Sequence, residues 1–250
     1  MTNTMYRNIV ASLFLMVISV TVHAAKVELN PPFGDSIYFP FSVFSPDESS
    51  PSDYKDQVVV VFHGFMSATP NGTYKRIRKK LLDTHTALGI NYDPLDFDGT
   101  VKFLQEVKET HLQGRRVIVA GTSLGGFWAR YFGDLIDAEK VIIINPVVRP
   151  AEQLAKNIGK IRENVRRDRE YPVTQEAIDI YRTIDVVPMT RQPTLLIVAK
   201  DDNLMPNHVA LDAYGSQPDI EIQVYEQGGH AINLKKHEAL QRIVDFVYGE

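Results

Sequence analysis

The sequence predicts an α/β fold, in which a mostly parallel β-sheet has helices on both faces and a small helical insert. Three observations support this prediction. Continuous runs of β-branched residues, such as 57–62, are typical of strands buried on both faces of a parallel sheet. Amphipathic helical stretches alternate with these runs, as βαβ units require. The length of 250 residues suits one α/β domain, which we expect to span residues 25–250.

The elements can be predicted in order from residue 25. Aromatic residues at 37–44, in a stretch rich in Pro, Ser and Asp, predict a short edge strand followed by an exposed loop. After the strand 57–62, GTYKRIRKKLLDTH has the apolar spacing of a helix, and NYDPLDF is a weak strand candidate. The later predicted elements are a helix in GTVKFLQEVKETHL, a strand in RRVIVAG, a helix in LGGFWARYFGDLI, strands in EKVIIINP, TLLIVAKDD and IEIQVYEQGG, and a helix in HEALQRIVDFVY.

One segment interrupts this alternation. Residues 151–187 are interpreted as two short helices broken around Tyr171 and Pro172. Extra helices at the carboxyl end of the sheet are placed to form a cap over a cleft, and the alternative is a peripheral excursion that does not touch the site. The basic stretch Lys160–Arg169 is interpreted as a solvated helix face, with contact to anionic membrane headgroups as the alternative.

The first 24 residues differ in character from the rest. Arg7 precedes the apolar run IVASLFLMVISVTV, and Val22 and Ala24 occupy the small-residue positions of a cleavage site. This is the layout of a secretory signal peptide, and the run is shorter than the roughly 20 residues that span a bilayer. We therefore expect residues 1–24 to be removed and the mature protein, starting near Ala25, to be periplasmic or secreted. An uncleaved membrane anchor is the alternative.

The composition restricts the possible partners and cofactors. Hydrophobic residues make up 44% of the chain and charged residues 23%, as in globular proteins. The formal net charge of −4 provides no broad positive field, so we expect no nucleic-acid partner. Cysteine is absent, which excludes disulfides and thiolate metal sites. The sequence contains no P-loop, dinucleotide fingerprint or zinc-ligand spacing.

A candidate nucleophile lies between a predicted strand and a predicted helix. The sequence GTSLG at 121–125 matches G-x-S-x-G, in which a sharp turn exposes the serine, here Ser123. The glycines allow strand, helix and substrate to approach one another closely. The Leu124 amide would lie at a helix amino terminus, where the dipole favours an anion. A plain glycine-rich packing turn is the alternative interpretation.

A serine hydroxyl needs a base to accept its proton, and the base needs an acid to orient it. His230 follows the last predicted strand, and Asp201 and Asp202 end the strand before it. The chain order Ser, Asp, His is the one expected of α/β-hydrolases. We favour Asp202 because Pro206 follows it by four residues, and Asp201 is the alternative.

The loop after the first long strand supplies the remaining part of the predicted site. The sequence VVVFHGFMS leads from a strand into a loop whose amides can face the nucleophile. The backbone amides of Phe65 and Leu124 would form an oxyanion hole, which stabilises negative charge on the substrate oxygen. His63 is expected to brace this loop rather than to act as a base.

The other histidines have simpler interpretations. His208 lies near the acid loop and is a weaker competitor to His230. Three more lie on stretches interpreted as polar helix, where we expect them to be solvated: His85, His111 and His237.

From about Val58 to Phe246 the chain resembles α/β-hydrolases. HGF, GTSLGGFWARYFG, INPVVRP and GGHAI resemble the small bacterial serine esterases of the YqiA type (UPF0227-like). The resemblance implies an α/β-hydrolase fold and hydrolysis of carboxylic esters without a metal or organic cofactor, with Ser123, Asp202 and His230 as the triad. The signal peptide, the additional N-terminal segment and the longer insert depart from the family's pattern and argue against a cytoplasmic thioester substrate.

These inferences predict a secreted serine esterase that acts on small-molecule or lipid esters through an acyl-enzyme intermediate. A lipase or peptidase on the same scaffold is one alternative. A catalytically silent binding protein of the same fold is the other.

Overall fold

The computed structural model describes residues 25–29, 41–45, 55–81, 83–165, 169–184 and 191–249. The predicted signal peptide, residues 1–24, lies outside the described residues. In chain order, the elements are β1 (Ala25–Leu29), β2 (Phe41–Ser45), β3 (Gln57–Phe62), α1 (Gly72–Leu81), β4 (His85–Ile90), α2 (Phe97–Val107), β5 (Arg116–Thr122), α3 (Leu124–Ile136), β6 (Lys140–Ile144), α4 (Pro150–Ala155), β7 (Ile161–Asn164), β8 (Arg169–Pro172), α5 (Gln175–Arg182), β9 (Thr194–Ala199), α6 (Asn207–Tyr214), β10 (Ile220–Tyr225) and α7 (Ala239–Tyr248).

The main sheet confirms the prediction of a mostly parallel α/β architecture. Its strand order is β1-β2-β4-β3-β5-β6-β9-β10. The strands from β4 to β10 in this order run parallel to one another, whereas β2 pairs antiparallel with β4 and with β1. The strand predicted at 37–44 overlaps β2, and its residues 37–40 lie outside the described residues. The prediction of an edge strand is wrong, because β2 pairs with β4 on one side and with β1 on the other. Among the described residues, no helix has the length and apolarity needed to cross a membrane.

The core lies in two layers, one on each face of the sheet. Along β3, Val58 and Val60 belong to the layer beneath α2, α3, α5 and α6, which contains the fully buried Trp128. Val59 and Val61 belong to the opposite layer, beneath α1 and α7. Because successive side chains of a strand point to opposite faces, a central strand with helices on both sides needs an unbroken apolar run.

The fourth strand does not lie where the sequence predicted it. NYDPLDF is not a strand, and that prediction is wrong; the strand is HTALGI, residues 85–90, and all six residues are buried. The stretch after β4 instead starts α2, because the Asp96 carboxylate accepts a hydrogen bond from the Gly99 amide at 3.0 Å and caps the helix.

Two histidines predicted to be solvated are buried, so those predictions are also wrong. His85 lies within β4, and its Nδ1 shares a hydrogen bond of 2.8 Å with the Thr84 hydroxyl. His111 lies in a π-helical turn that continues α2. Burial lowers the pKa of each imidazole to about 4, because it disfavours the charged form. His237 is half-buried in a turn, with its ring 5.5 Å from that of Tyr225.

The insert contains a β-hairpin in addition to its two helices. The prediction of two helices broken around Tyr171 and Pro172 is therefore incomplete, because β7 and β8 form an antiparallel pair between α4 and α5. The described residues of the basic stretch, 160–165 and 169, do not form the predicted helix face. Three residues of β7 are exposed and only Asn164 is buried, so no apolar periodicity marks this strand.

The insert is attached to loops at the carboxyl edge of the sheet. The Asn164 side-chain amide donates to the Ser67 carbonyl at 2.8 Å, in the loop after β3. The Tyr181 hydroxyl donates to the Pro94 carbonyl at 3.0 Å, in the loop after β4. These contacts hold the insert beside the strand ends, where the candidate site lies.

Candidate active site

Ser123 occupies a strained turn between β5 and α3. Its backbone dihedrals are φ 58° and ψ −126°, a region that residues with a side chain rarely adopt. The turn is held because the Ser123 amide donates to the Ile144 carbonyl at 3.0 Å and the Ser123 carbonyl accepts from the Gly126 amide at 2.8 Å. The chain therefore reverses abruptly at the end of β5, with Ser123 at the apex.

The glycines of the GTSLG sequence are required by close backbone approaches. A Cβ atom on Gly121 would lie 1.9 Å from the Gly125 carbonyl oxygen, so strand and helix could not meet with a side chain there. A Cβ atom on Gly125 would lie 2.4 Å from the His63 carbonyl oxygen, so α3 could not approach the end of β3. The close backbone contacts at Gly121 and Gly125 thus explain the two glycines of the G-x-S-x-G motif, as the sequence pattern suggested.

Asp202 and His230 form a hydrogen-bonded pair. His230 Nδ1 lies 2.8 Å from Asp202 Oδ2, and the Asp202 carboxylate is fully buried. The other carboxylate oxygen accepts hydrogen bonds from the backbone amides of Leu204 and Met205, each at 2.8 Å. A carboxylate partner fixes the proton of the neutral imidazole on Nδ1, which leaves Nε2 as a proton acceptor on the far side of the ring.

The alternative acid and the alternative base lie elsewhere. Asp201 is exposed, and its carboxylate accepts the Gly229 amide at 2.7 Å. Hydrogen bonds from the Gly229 and Gly228 amides lower the pKa of this carboxyl group. His208 is exposed on α6. The acid in contact with His230 is therefore Asp202.

Ser123 and His230 line the same two cavities. One cavity, of about 370 Å³, is bordered by six apolar and six polar or charged residues, and we call it the apolar cavity because it has the larger share of apolar side chains of the two. The other, of about 320 Å³, is bordered by the loop after β3 and by the start of α1, and we call it the polar cavity. No hydrogen bond joins Ser123 Oγ to His230 among the residues that the structure describes. Such catalytic hydrogen bonds are often long until substrate binds.

The insert borders the apolar cavity, so it is not a distant excursion. The residues that surround this cavity, besides Ser123 and His230, are Phe65, Leu124, Val147, Gln153, Leu154, Lys156, Asn157, Arg162, Leu204 and Met205. Four of them come from α4 or the turn that follows it, and one comes from β7. The insert therefore determines the shape of one side of the cleft.

The loop after β3 passes close to Ser123. A Cβ atom on Gly64 would lie 3.3 Å from the Ser123 Cβ, and Phe65 borders both cavities. His63 is buried at the base of this loop, where its Nδ1 donates to the Gly64 carbonyl at 2.7 Å. Its ring stacks on Tyr92 at 4.6 Å. His63 thus lies in a bracing position, and Leu124 begins α3 on the other side of Ser123.

Asn145 is a site residue that sequence reasoning missed. It directly follows β6, is buried, and has a positive φ of 41°. Its Nδ2 donates to the carbonyls of Gly229 and His230, both at 3.0 Å, and its Oδ1 accepts the Ala199 amide at 2.9 Å. Asn145 thereby connects the end of β9 to the loop that carries the imidazole. In the sequence, the only signal is an asparagine directly after a buried strand, which is also typical of a turn.

No group of three or more His, Asp or Glu side chains within the described ranges could hold a metal ion.

The model of the family described as "Uncharacterised protein family (UPF0227)" matches residues 58–248. A UPF0227 protein of Serratia proteamaculans is 27% identical over 193 residues, which are 76% of this chain and 98% of that protein. A UPF0227 protein of Pectobacterium carotovorum is 30% identical over 112 residues, so the match spans 43% of this chain and only 61% of that relative.

Solved structures share the fold at low sequence identity. Est1E from Butyrivibrio proteoclasticus superposes with a TM-score of 0.66 at 13% identity, over 90% of this chain and 98% of that chain. Mouse alpha/beta hydrolase domain-containing protein 10 gives a TM-score of 0.65 at 14% identity, over 90% and 99%. A serine hydrolase of Cycloclasticus zankles gives 0.61 at 12% identity, over 91% and 98%. These similarities confirm the predicted α/β-hydrolase fold.

Proposed function

The chain belongs to the UPF0227 family, and we propose that it is a serine hydrolase that cleaves carboxylic esters. One observation carries this proposal. The buried Asp202 carboxylate holds the imidazole of His230 through Nδ1, and the same cleft contains Ser123 at a strained turn. An acid that orients a base beside a serine is the arrangement that activates a hydroxyl as a nucleophile.

In the first half of the proposed reaction, Ser123 Oγ attacks the ester carbonyl carbon while His230 Nε2 takes the hydroxyl proton. The carbonyl oxygen becomes an oxyanion, which the backbone amides of Phe65 and Leu124 stabilise by hydrogen bonds. Asp202 stabilises the imidazolium cation. The bond from carbon to the leaving oxygen then breaks, and His230 donates its proton to the departing alcohol, which leaves an acyl group on Ser123.

In the second half, water replaces the alcohol. His230 takes a proton from the water as its oxygen attacks the acyl carbon, and the same amides stabilise the second oxyanion. The bond between the acyl carbon and Ser123 Oγ breaks, Oγ recovers a proton from His230, and the carboxylic acid leaves. Each oxyanion-hole donor is expected to contribute about 3–4 kcal/mol of transition-state stabilisation.

The apolar cavity supports an ester with an apolar acyl group. Leu124, Val147, Leu154, Leu204 and Met205 all border it beside Ser123. A cavity of about 370 Å³ is within the range of sites that bind small molecules. The name of one similar structure, a serine hydrolase of Cycloclasticus zankles, agrees with the proposed use of a serine nucleophile.

The test is Ser123→Ala, measured by labelling with a fluorophosphonate probe and by turnover of 4-nitrophenyl acyl esters. We expect wild type to be labelled and Ser123→Ala to lose labelling and turnover. Ser216→Ala, which changes an exposed serine beyond α6, is the matched control and should retain both. Asp202→Asn should lower kcat by about 10⁴-fold.

Three results would contradict the proposal. Labelling of Ser123→Ala at the wild-type rate would exclude this serine as the nucleophile. An unlabelled and inactive wild-type protein would favour the alternative of a binding protein. Faster turnover of a 4-nitroanilide than of the 4-nitrophenyl ester with the same acyl group would indicate a peptidase.

We also propose that residues 1–24 direct secretion. The supporting pattern is a cation, an apolar run and a cleavage site at Ala24. Amino-terminal sequencing of protein recovered from the periplasm should begin near Ala25, and a sequence that began at Met1 would overturn this proposal.

A further inference from the structure

Ser123 lies at the junction of the two cavities. Phe65, Ser123 and His230 border both of them. An ester that reacts at Ser123 therefore has room on either side of its carbonyl carbon. If the acyl group occupies the apolar cavity, the leaving alcohol faces the polar cavity.

The two cavities have positive but no negative side chains. Arg76 borders the polar cavity, and Lys156 and Arg162 border the apolar one. Neither set of bordering residues includes an Asp or Glu, although the chain as a whole has a formal net charge of −4. This local excess of positive charge favours an anionic ligand.

Arg76 is the cation best placed to contact such a ligand. It lies one turn into α1 and is half-buried, and its guanidinium folds back over Gly72, where a Cβ atom would lie 3.1 Å from Nη1. Arg76 makes no hydrogen bond or ion pair with any residue that the structure describes. In contrast, Arg116 and Arg130 each pair with a carboxylate.

The other two cations are less suited to this role. Lys156 is exposed, and its Nζ already donates to the Gln153 side chain at 2.6 Å. Arg162 is exposed on β7. Because charge interactions strengthen as water is excluded, the half-buried Arg76 should bind an anion more tightly than either.

We propose that the substrate is an ester whose leaving alcohol has a negatively charged group, and that Arg76 binds this group in the polar cavity. The side chains and backbone around Arg76 fit such a group, since Ser67, Asn71 and Thr73 border the same cavity with further polar atoms. The proposal rests on the proposed esterase activity, because it divides an ester between the two cavities. It assigns the negative charge to the alcohol rather than to the acyl group.

The experiment compares two esters of the same acid, 4-nitrophenyl butanoate and 4-butanoyloxy-3-nitrobenzenesulfonate. The measured quantity is the ratio of kcat/KM for the sulfonated ester to that for the neutral ester. Division by the ratio of their hydroxide-catalysed rates removes the intrinsic difference between the leaving groups. We expect a corrected ratio above one for wild type and a decrease of about tenfold or more in Arg76→Gln. Arg76→Lys should retain part of the preference.

The matched control is Lys79→Gln, which removes a positive charge from an exposed position of the same helix, outside the polar cavity. We expect it to leave the ratio unchanged. An equal decrease in both variants would show a long-range field rather than contact and would overturn the assignment to Arg76. A decrease in Arg162→Gln but not in Arg76→Gln would place the anion in the apolar cavity and would also overturn it.

A third ester tests which part of the substrate has the charge. 4-Nitrophenyl hemisuccinate has the anion on its acyl group, and we expect Arg76→Gln to affect its kcat/KM less than that of the sulfonated ester. A larger effect on the hemisuccinate would reverse the assignment of the two cavities.

A binding measurement separates this inference from the proposed function. The phenol released from the sulfonated ester, 4-hydroxy-3-nitrobenzenesulfonate, can be titrated calorimetrically into Ser123→Ala and into Ser123→Ala/Arg76→Gln. We expect the Kd to be about tenfold higher in the double variant than in Ser123→Ala. If wild type hydrolyses neither ester but this difference is found, the esterase proposal fails and the anion site stands. Equal Kd values, or no binding to either variant, would overturn the anion site.

Discussion

Replacement of Asn145 should have two measurable effects: it should displace the His230 imidazole and lower the free energy of unfolding. Its side chain makes three hydrogen bonds, to the carbonyls of Gly229 and His230 and from the amide of Ala199. Asn145→Gly removes all three and suits the positive φ of 41°. Asn145→Ala removes the same three but forces a Cβ atom into the left-handed region.

The size of the effect follows from the burial of the three partners. Ala199 is fully buried, so its unpaired amide should cost about 1–3 kcal/mol. The carbonyls of Gly229 and His230 lie in a half-buried loop, where water can replace the lost donor, and we expect about 1 kcal/mol from both together. Asn145→Gly should therefore lower the free energy of unfolding by about 2–4 kcal/mol, and Asn145→Ala by about 1 kcal/mol more.

Two assays test the two parts of this prediction. Urea unfolding gives the free energies of unfolding. The rate of fluorophosphonate labelling at Ser123, measured where both variants are fully folded, reports the position of His230. We expect labelling and kcat to fall at least about tenfold in both variants, with a smaller change in KM, because a misplaced base slows the chemical step. If Asn145→Gly is destabilised but is labelled at the wild-type rate, Asn145 only supports the fold and the reasoning is wrong.

Two further predictions concern stability. The strained backbone of Ser123, with φ 58°, should make Ser123→Gly more stable than Ser123→Ala by about 1 kcal/mol in urea unfolding, and equal values would contradict the strain. Burial lowers the pKa of His85 and His111 to about 4. Below pH 6.5, the unfolded chain therefore binds protons at these histidines that the folded chain excludes. The free energy of unfolding should consequently fall as the pH decreases towards 4. Between pH 7 and pH 5, the free energy of unfolding should decrease by about 2 kcal/mol for each histidine. The variant His111→Gln should show a smaller decrease over this range in urea unfolding. The same pH dependence as in wild type would show that His111 does not contribute.

Four of the correctly predicted strands are buried on both faces, and a further one, β10, is only partly buried. β3, β5, β6 and β9 have the apolar runs that this environment demands. β4 has the same burial but contains His85 and Gly89, which are not typical of strands. Gly89 is needed because a Cβ atom there would lie 2.8 Å from Thr69. The reason for the glycine is thus a tertiary contact, which local sequence does not reveal.

The site could be predicted where chemistry restricts the residue type. A nucleophile, a base and an acid must be Ser, His and Asp or their equivalents, so Ser123, His230 and Asp202 stood out by type and order. Asn145 and Arg76 have common residue types in ordinary settings, a turn after a strand and a helix rich in cations. Their significance depends on which distant groups they meet, and only the folded chain shows this.

The strand order explains how Ser123 and His230 come to share a cleft. Ser123 follows β5, whereas His230 follows β10, and β6 and β9 lie between these strands. With neighbouring strands about 4.8 Å apart, the ends of β5 and β10 are separated by roughly 14 Å, which no side chain bridges alone. The loop after β10 must therefore return across the sheet. Gly229 bonds to Asp201 above β9 and then to Asn145 at the end of β6, so each strand that the loop crosses holds it.

This arrangement gives Asn145 a role that Asp202 does not share. Asp202 follows β9, two strands from β5, and its carboxylate orients the imidazole but does not by itself bring the ring towards Ser123. Asn145 follows β6, the strand adjacent to β5, and holds the backbone of His230 there. Without the Asn145 amide, Asp202 still orients the imidazole, but the loop that carries His230 loses its hydrogen bonds to the residue that follows β6. For this reason the loss should appear in kcat and in labelling of Ser123 even when the pair of Asp202 and His230 stays intact.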